Sequence, residues 1–211
     1  MNRNHDDLYD RKAAEYNWRG PEIIFGLAYP YINQGESILD MGIGTGLGSE
    51  PFAGAGLKVY GMDISEKMLD ICRDKGFTWG LQKHDLRNIP YPYEYNAFHH
   101  ALALSVFLIF EEIADIFKET GRIIRPGGIF GFTAEDIKPG QAVKYQLDPE
   151  DQSKEPDPDT AITVYRHSFD YIKDTLEKTG FELLKWIEFL AYQSPKRDKD
   201  IYYTAYLARK L

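Results

Sequence analysis

The segment Ile38-Leu39-Asp40-Met41-Gly42-Ile43-Gly44-Thr45-Gly46 constrains this chain more than any other: an apolar run ends in an acid and opens into alternating glycines. Such a run reads as a strand entering a tight turn, because glycine tolerates left-handed backbone and lets another group approach where a Cβ would collide. In open α/β sheets ligands lie outside the carboxyl ends of the strands, which makes this bend a candidate binding site. The spacing narrows the ligand. A dinucleotide fingerprint G-x-G-x-x-G starting at Gly42 requires glycine at the sixth position, and that residue is Leu47.

Around this bend the pattern alternates. Strands are predicted near 37–41, 57–62, 78–82, 99–104 and 128–134, with helices near 46–54, 65–75 and 111–120 between them, which implies βαβ units and a largely parallel sheet. The second helix is well punctuated: Ser65 caps it, Ile64 and Leu69 occupy staple positions, and Gly76 stops it. Ile113, Ile116 and Phe117 give the third its apolar face, and Arg125-Pro126-Gly127-Gly128 suits a turn. Residues 136–161 are rich in Pro, Asp, Glu and Lys without an apolar period, so a loop is expected there. Ser168 then caps a helix bearing Phe169, Ile172 and Leu176, which Gly180 ends. Strands near 183–191 and 201–208, joined by a polar turn around Ser194-Pro195-Lys196, predict an antiparallel hairpin. Upstream, Leu8 to Tyr16 and Pro21 to Ile32 read as helices covering the open edge of the site, and no internal repeat or linker interrupts the chain.

Composition bounds the function classes. A length of 211 residues with 43% hydrophobic content suits one domain with a full core. No run approaches the roughly 18 apolar residues of a membrane helix, and the polar stretch Met1 to Asp10 lacks a signal-peptide pattern, so a cytoplasmic location is expected. Cys72 is the single cysteine, which excludes an internal disulfide and a cysteine-based zinc site. A net charge of -8 opposes nucleic acid as a partner, and the mixed cluster Lys196-Arg197-Asp198-Lys199 reads as a solvated turn. His99 and His100 project to opposite faces of a strand and so cannot chelate one metal together; no metal is expected.

The G-x-G-x-G that follows an acid resembles motif I of class I S-adenosylmethionine-dependent methyltransferases, and from Tyr9 onward the order of parts is similar to that superfamily. The resemblance implies an α/β, Rossmann-like three-layer sandwich whose mostly parallel seven-stranded sheet ends in the antiparallel hairpin. It implies one domain over 1–211, with a helical cover at 1–34, a cofactor-binding core at 35–135, an acceptor-side loop at 136–167, and a helix and hairpin at 168–211. Asp40, Gly42, Gly44 and Gly46 would then receive the methionine end of S-adenosyl-L-methionine, and Asp63, 21 positions beyond Gly42, would accept from the ribose hydroxyls. Ile64 and Met68 would pack on adenine or serve as ordinary core, while Asp85 would accept from the exocyclic amine beside Leu86. Leu104 and Ser105 fall near the point of methyl transfer, although Phe98-His99 replaces the aromatic-Asp pair with which many relatives begin this strand.

In relatives the N-terminal segment, here carrying Tyr9, Tyr16 and Trp18, folds over the cofactor. Tyr16 is assigned to that role; Trp18, Tyr145 and Tyr165 are assigned to the acceptor side. Where the acceptor is a hydroxyl or a protonated amine, His167 is the candidate base. Tyr165-Arg166-His167-Ser168 and Gly180-Phe181-Glu182-Leu183-Leu184 are similar to bacterial methyltransferase domains that often follow tetratricopeptide repeats. The function so implied is methyl transfer to an O, N or C atom of a small molecule by a monomer or homodimer. An NAD(P)-dependent oxidoreductase and a catalytically silent cofactor-binding partner protein remain alternatives.

Overall fold

The computed structural model describes residues 8–147, 161–194 and 199–211. The polar turn and mixed charges expected at Pro195–Asp198, the centre of the acidic segment at 148–160 and the polar residues before Leu8 lie outside these. Among the described residues nine strands form in chain order: β1 (Ser37–Met41), β2 (Lys58–Asp63), β3 (Thr78–Lys83), β4 (His100–Ala103), β5 (Ile129–Ala134), β6 (Lys144–Leu147), β7 (Ile162–Tyr165), β8 (Phe181–Ser194) and β9 (Lys199–Lys210). Seven make one sheet in the order β3-β2-β1-β4-β5-β9-β8. The first five run parallel, and β9 lies antiparallel to both β5 and β8. Because β1 pairs with β2 on one side and β4 on the other, the winding reverses there and a crevice opens at the carboxyl ends of the strands.

Helices cover both faces. The described helices are α1 (Leu8–Glu15), α2 (Gly20–Ala28), α3 (Glu50–Gly54), α4 (Glu66–Lys75), α5 (Ala114–Ile123) and α6 (Phe169–Lys178). Ile24, Phe52 and Leu69 of α2, α3 and α4 pack with Ile38, Val59 and Leu102 on one face. On the other, Phe117 of α5 and Ile172 and Leu176 of α6 pack with Leu39, Met41, Phe130 and Phe132. The result is the α/β, Rossmann-like three-layer sandwich that the alternating pattern predicts. No helix among the described residues is long and apolar enough to cross a membrane.

Several boundaries depart from expectation for identifiable reasons. The helix expected from residue 46 begins at Glu50, because Gly46 sits at φ +89 and the turn runs on through Ser49. The helix expected from 111 begins at Ala114; Glu112 is held instead by the Tyr171 hydroxyl at 2.8 Å. The helix expected to reach Ile32 ends at Ala28 and tightens into a 3-10 turn at Tyr29–Tyr31, with Pro30 unable to continue the α-helical ladder. The segment expected to be a loop contains β6, which pairs antiparallel with β7 as a separate two-stranded ribbon. No helix joins β3 to β4. Tyr91 and Tyr93 pack there instead, and α5 satisfies their backbone: Tyr91 N–H donates to Glu119 Oε1 at 2.6 Å, and Arg122 donates to the Tyr93 and Tyr91 carbonyls at 2.8 and 3.1 Å.

Candidate functional site

The glycine turn is shaped by two different demands. Gly42, Gly44 and Gly46 all adopt left-handed backbone, at φ +77, +54 and +89. A Cβ on Gly42 would stand 2.6 Å from Val106 Cγ2, and one on Gly46 would stand 2.6 Å from the Phe77 ring. Those two glycines yield to the protein's own packing. Gly44 differs, since nothing lies within 4 Å of its Cβ position, which leaves the backbone there open to approach.

The turn is tied to β2. Gly42 and Ile43 N–H donate to the Met62 carbonyl at 2.7 and 3.0 Å. Asp63, at the end of β2, accepts from Gly44 N–H at 2.9 Å through Oδ2 and from Ser65 N–H at 2.8 Å through Oδ1. Each carboxylate oxygen carries further lone-pair capacity, so this anchoring leaves acceptors for a ligand. Asp40, at the end of neighbouring β1, is only 2% exposed. Burial pushes its pKa up to about 7, against the Ser49 hydroxyl, which lowers it, and with the Asp63 charge, which raises it further. The fully buried Ser49 Oγ nevertheless lacks a well-formed hydrogen bond among the described residues. A buried acid, an unsatisfied hydroxyl and a second carboxylate beside an open glycine fit a ligand group that is cationic and rich in N–H.

The remaining cofactor-side residues are distributed along the same strand ends. Ile64, beside Asp63, is 55% exposed, an apolar surface free for a flat ring. Met68 is half-buried on α4, whose start Ser65 caps by accepting from Met68 N–H at 3.4 Å. After β3, Asp85 accepts from Arg87 Nε at 3.0 and 3.2 Å through its two oxygens, and this contact holds its carboxyl below the usual range. The Leu86 side chain is buried in the core rather than presented to the crevice, so only its backbone is placed to frame a ring. After β4, Leu104 packs toward α2 and α3, and Ser105 takes left-handed backbone at φ +56 while donating its N–H to Thr133 Oγ1 at 2.8 Å. Such strain in a non-glycine residue costs on the order of 1–3 kcal/mol and concentrates at functional sites. Tyr16 is half-buried just beyond α1.

On the acceptor side, the residues that follow β5 carry a buried polar cluster. Glu135 accepts from Arg166 Nε at 2.6 Å and from the Tyr145 hydroxyl at 2.8 Å, and the guanidinium lies 4.2 Å from the Tyr145 ring centroid. Asp136 accepts from the hydroxyls of Thr204 and Tyr206, both at 2.8 Å, and burial raises its pKa. His167 is buried, and that burial holds its pKa below the ordinary value. Its Nε2 lies 3.2 Å from the Phe107 carbonyl, and the Phe110 backbone is a second hydrogen-bond partner of the ring. Tyr171 stacks on the ring at 5.5 Å.

Not every expected partner is brought together. Tyr145 pairs with Val164 and Lys144 with Tyr165, so the two tyrosines occupy opposite faces of the β6–β7 ribbon. Val164 is buried, which makes the Tyr145 face the inward one. Trp18 packs against Phe189 and Tyr203, 5.7 and 5.5 Å away, on the α2 side of the sheet. His100 hydrogen-bonds Glu36 at 2.9 Å, and Ser37, at the start of β1, contacts His99, so both histidines serve the amino ends of the strands. Among the described residues no group of three or more His, Cys, Asp or Glu is placed to hold a metal. Sequence reasoning passed over Ser49, Thr45, Glu135, Asp136 and Arg166; the acids directly after the fifth predicted strand were the available signal. A hollow of about 690 Å³ lined by Phe25, Tyr29 and Leu57 lies on the α2–α3 flank and contains none of these residues.

Residues 39–132, running from β1 into β5, match the family described as a methyltransferase domain. Over that stretch the chain is similar to methyltransferases. Among curated proteins, a demethylmenaquinone methyltransferase of Tropheryma whipplei is 31% identical over 102 residues, 46% of this chain and 41% of that protein. A ubiquinone biosynthesis O-methyltransferase of Bordetella pertussis is 46% identical over 56 residues, 26% of this chain and 23% of its own length. The chain thus aligns with less than half the length of these relatives. Among solved structures, a SAM-dependent methyltransferase from Methanosarcina mazei superposes with a TM-score of 0.71 at 16% identity, covering 88% of this chain and 97% of that one. That likeness is one of fold, and it takes in more of the chain than the matched family does.

Proposed function

We propose that this chain transfers the methyl group of S-adenosylmethionine to an O, N or C atom of a small-molecule acceptor. The observation that carries the proposal is the open face of Gly44 flanked by buried Asp40 and by Asp63. The cofactor supplies an activated, positively charged methyl donor. This chain's residues then bind and orient it: Asp63 the ribose hydroxyls, Asp40 and Ser49 the amino-acid end, Ile64 and Met68 the adenine face, and Asp85 the exocyclic amine. Leu47 in place of a glycine argues against an NAD(P)-dependent oxidoreductase.

Transfer itself needs the two reactants held in line and water kept away. Ser105 and its Thr133 anchor fix the backbone at the end of β4, where donor and acceptor meet. When the acceptor carries a proton, His167, buried just after β7, is the group to remove it. The inward face of the β6–β7 ribbon, with Tyr145 held by Glu135, walls the acceptor side. A small acceptor is supported by the names of two curated relatives, a demethylmenaquinone methyltransferase and a ubiquinone biosynthesis O-methyltransferase. The net charge of -8 favours such an acceptor over nucleic acid, and a cytoplasmic monomer or homodimer is the form proposed. The finer likeness to repeat-associated methyltransferase domains rests on Tyr165–Ser168 and Gly180–Leu184 alone and names no acceptor.

Incubation with methyl-labelled donor and a fractionated small-molecule extract tests the activity. Label should appear in a compound that passes a dialysis membrane. Label confined to macromolecules would overturn the small-molecule acceptor, and no transfer despite tight donor binding would favour a silent partner protein. Tryptophan quenching by NADH, without response to S-adenosylhomocysteine, would favour the oxidoreductase.

A further inference from the structure

α1 is an eight-residue helix, and none of its residues from Asp10 to Glu15 is fully buried. A helix that short does not persist through propensity alone, so its position depends on what ties it down. Beneath it lies a hollow of about 430 Å³ whose lining includes Asp10, Ala13, Ala14, Trp18, Leu47 and Glu50, so the helix bridges a void beside the glycine turn.

Its two ends are held by different forces. At the carboxyl end Asn17 turns through φ +54, and Trp18 N–H closes back on the Ala13 carbonyl at 2.8 Å. The Trp18 ring is then seated on Phe189 and Tyr203. That end is apolar and fixed. At the amino end the tie is polar: Asp10 accepts from Thr45 Oγ1 at 2.5 Å and from Lys75 Nζ at 2.6 Å. Thr45 is buried at 1% exposure and sits between Gly44 and Gly46, whereas Asp10 and Lys75 are about a quarter exposed, at 28% and 25%. Water therefore competes for this end and not for the other.

We propose that Asp10 and Thr45 latch α1 over the glycine turn, and that opening of this latch, with Asn17–Trp18 as the pivot, sets the rate at which a bound nucleoside leaves. The inference rests on the cofactor assignment above. Both are positioning residues, acting through the helix they hold. Lys75 strengthens the latch by drawing the same carboxylate toward the last turn of α4.

The test compares wild type with Asp10→Ala, Thr45→Val and Thr45→Ser. Two readouts are used: the dissociation rate of S-adenosylhomocysteine from immobilised protein, and amide exchange of residues 8–15 without ligand. Losing a charge-assisted hydrogen bond should speed dissociation about ten-fold in Asp10→Ala and Thr45→Val, with Thr45→Ser close to wild type. Exchange in α1 should quicken in the same two variants, while the melting temperature stays close to wild type in Thr45→Val, which leaves no buried hydroxyl without an acceptor. Dissociation and exchange equal to wild type in both variants would overturn the latch. If wild type binds no S-adenosylhomocysteine, the cofactor assignment fails, and α1 exchange in Asp10→Ala alone then decides: faster exchange supports the latch, unchanged exchange overturns it.

Discussion

At the scale of single residues, the site is governed by where carboxylates are buried. Asp40 is enclosed by its own strand, by Ser49 and by the Asp63 charge, and its folded-state pKa of about 7 lies above the ordinary value. The sign follows directly: a raised acid contributes stability that is present below its unfolded pKa and lost as pH rises through its folded pKa. The ligand-free protein should therefore lose stability from about pH 4 to about pH 7, and Asp40→Asn should flatten that slope in urea unfolding. Equal slopes in both proteins would remove Asp40 as the cause. His167→Gln keeps a side-chain donor for the Phe107 carbonyl but no basic nitrogen. For an acceptor that must lose a proton, kcat should fall about a hundred-fold with the fold intact and the acidic limb of the pH–rate profile abolished. A profile that keeps that limb would assign the base elsewhere. The sequence made Gly42, Gly44, Gly46 and Asp63 legible because spacing alone singles them out. It hid the different duties of the three glycines, since only packing shows that Val106 and Phe77 press on two of them.

At the scale of elements, local chemistry was legible and long-range pairing was not. Ser65 and Ser168 cap α4 and α6 as their positions predict, accepting from Met68 and Tyr171 N–H, and Gly76 closes α4 in left-handed backbone. The strand β6 escaped notice because its alternation, Tyr145 and Leu147 against Lys144 and Gln146, lasts four residues within a charged segment and its partner β7 is distant in sequence. No helix was expected between β3 and β4 and none forms; what stayed hidden is that Arg122 of α5 reaches back to hold the Tyr91 and Tyr93 carbonyls of that connection. Arg122 also pairs with Glu119 at 2.6 Å, with side chains 16% and 6% exposed. Removing one partner strands the other, so Arg122→Ala should cost about 3 kcal/mol in chemical denaturation. A loss below about 1 kcal/mol would show that water replaces the guanidinium and that the loop holds itself.

At the scale of the whole molecule, two cores separated by one sheet place every proposed ligand contact on a single edge. The order β3-β2-β1-β4-β5 brings Asp40, Asp63, Asp85, Ser105 and Glu135 to neighbouring strand ends although they are scattered through the chain. The parallel half was predictable from alternation and the antiparallel pairing of β8 with β9 from the short hairpin connection, whereas the placing of β9 beside β5 was visible only in the structure. The face toward α5 and α6 is strongly aromatic: Phe117 is fully buried and meets Phe107, Phe130 and Phe132 at centroid distances of 5.2, 5.2 and 5.1 Å. Phe117→Ala should cost about 3–5 kcal/mol in equilibrium unfolding, and a change under about 1 kcal/mol would mean that this core closes over the gap. The central claim, that the glycine turn and the end of β2 receive a sulfonium nucleoside, is tested most directly by calorimetric titration of S-adenosylmethionine into wild type and Asp63→Ala. The account predicts a dissociation constant on the order of micromolar for wild type, weakened at least about ten-fold in the variant by the lost ribose acceptors. Equal affinity in the two proteins, or no heat of binding in either, would contradict it.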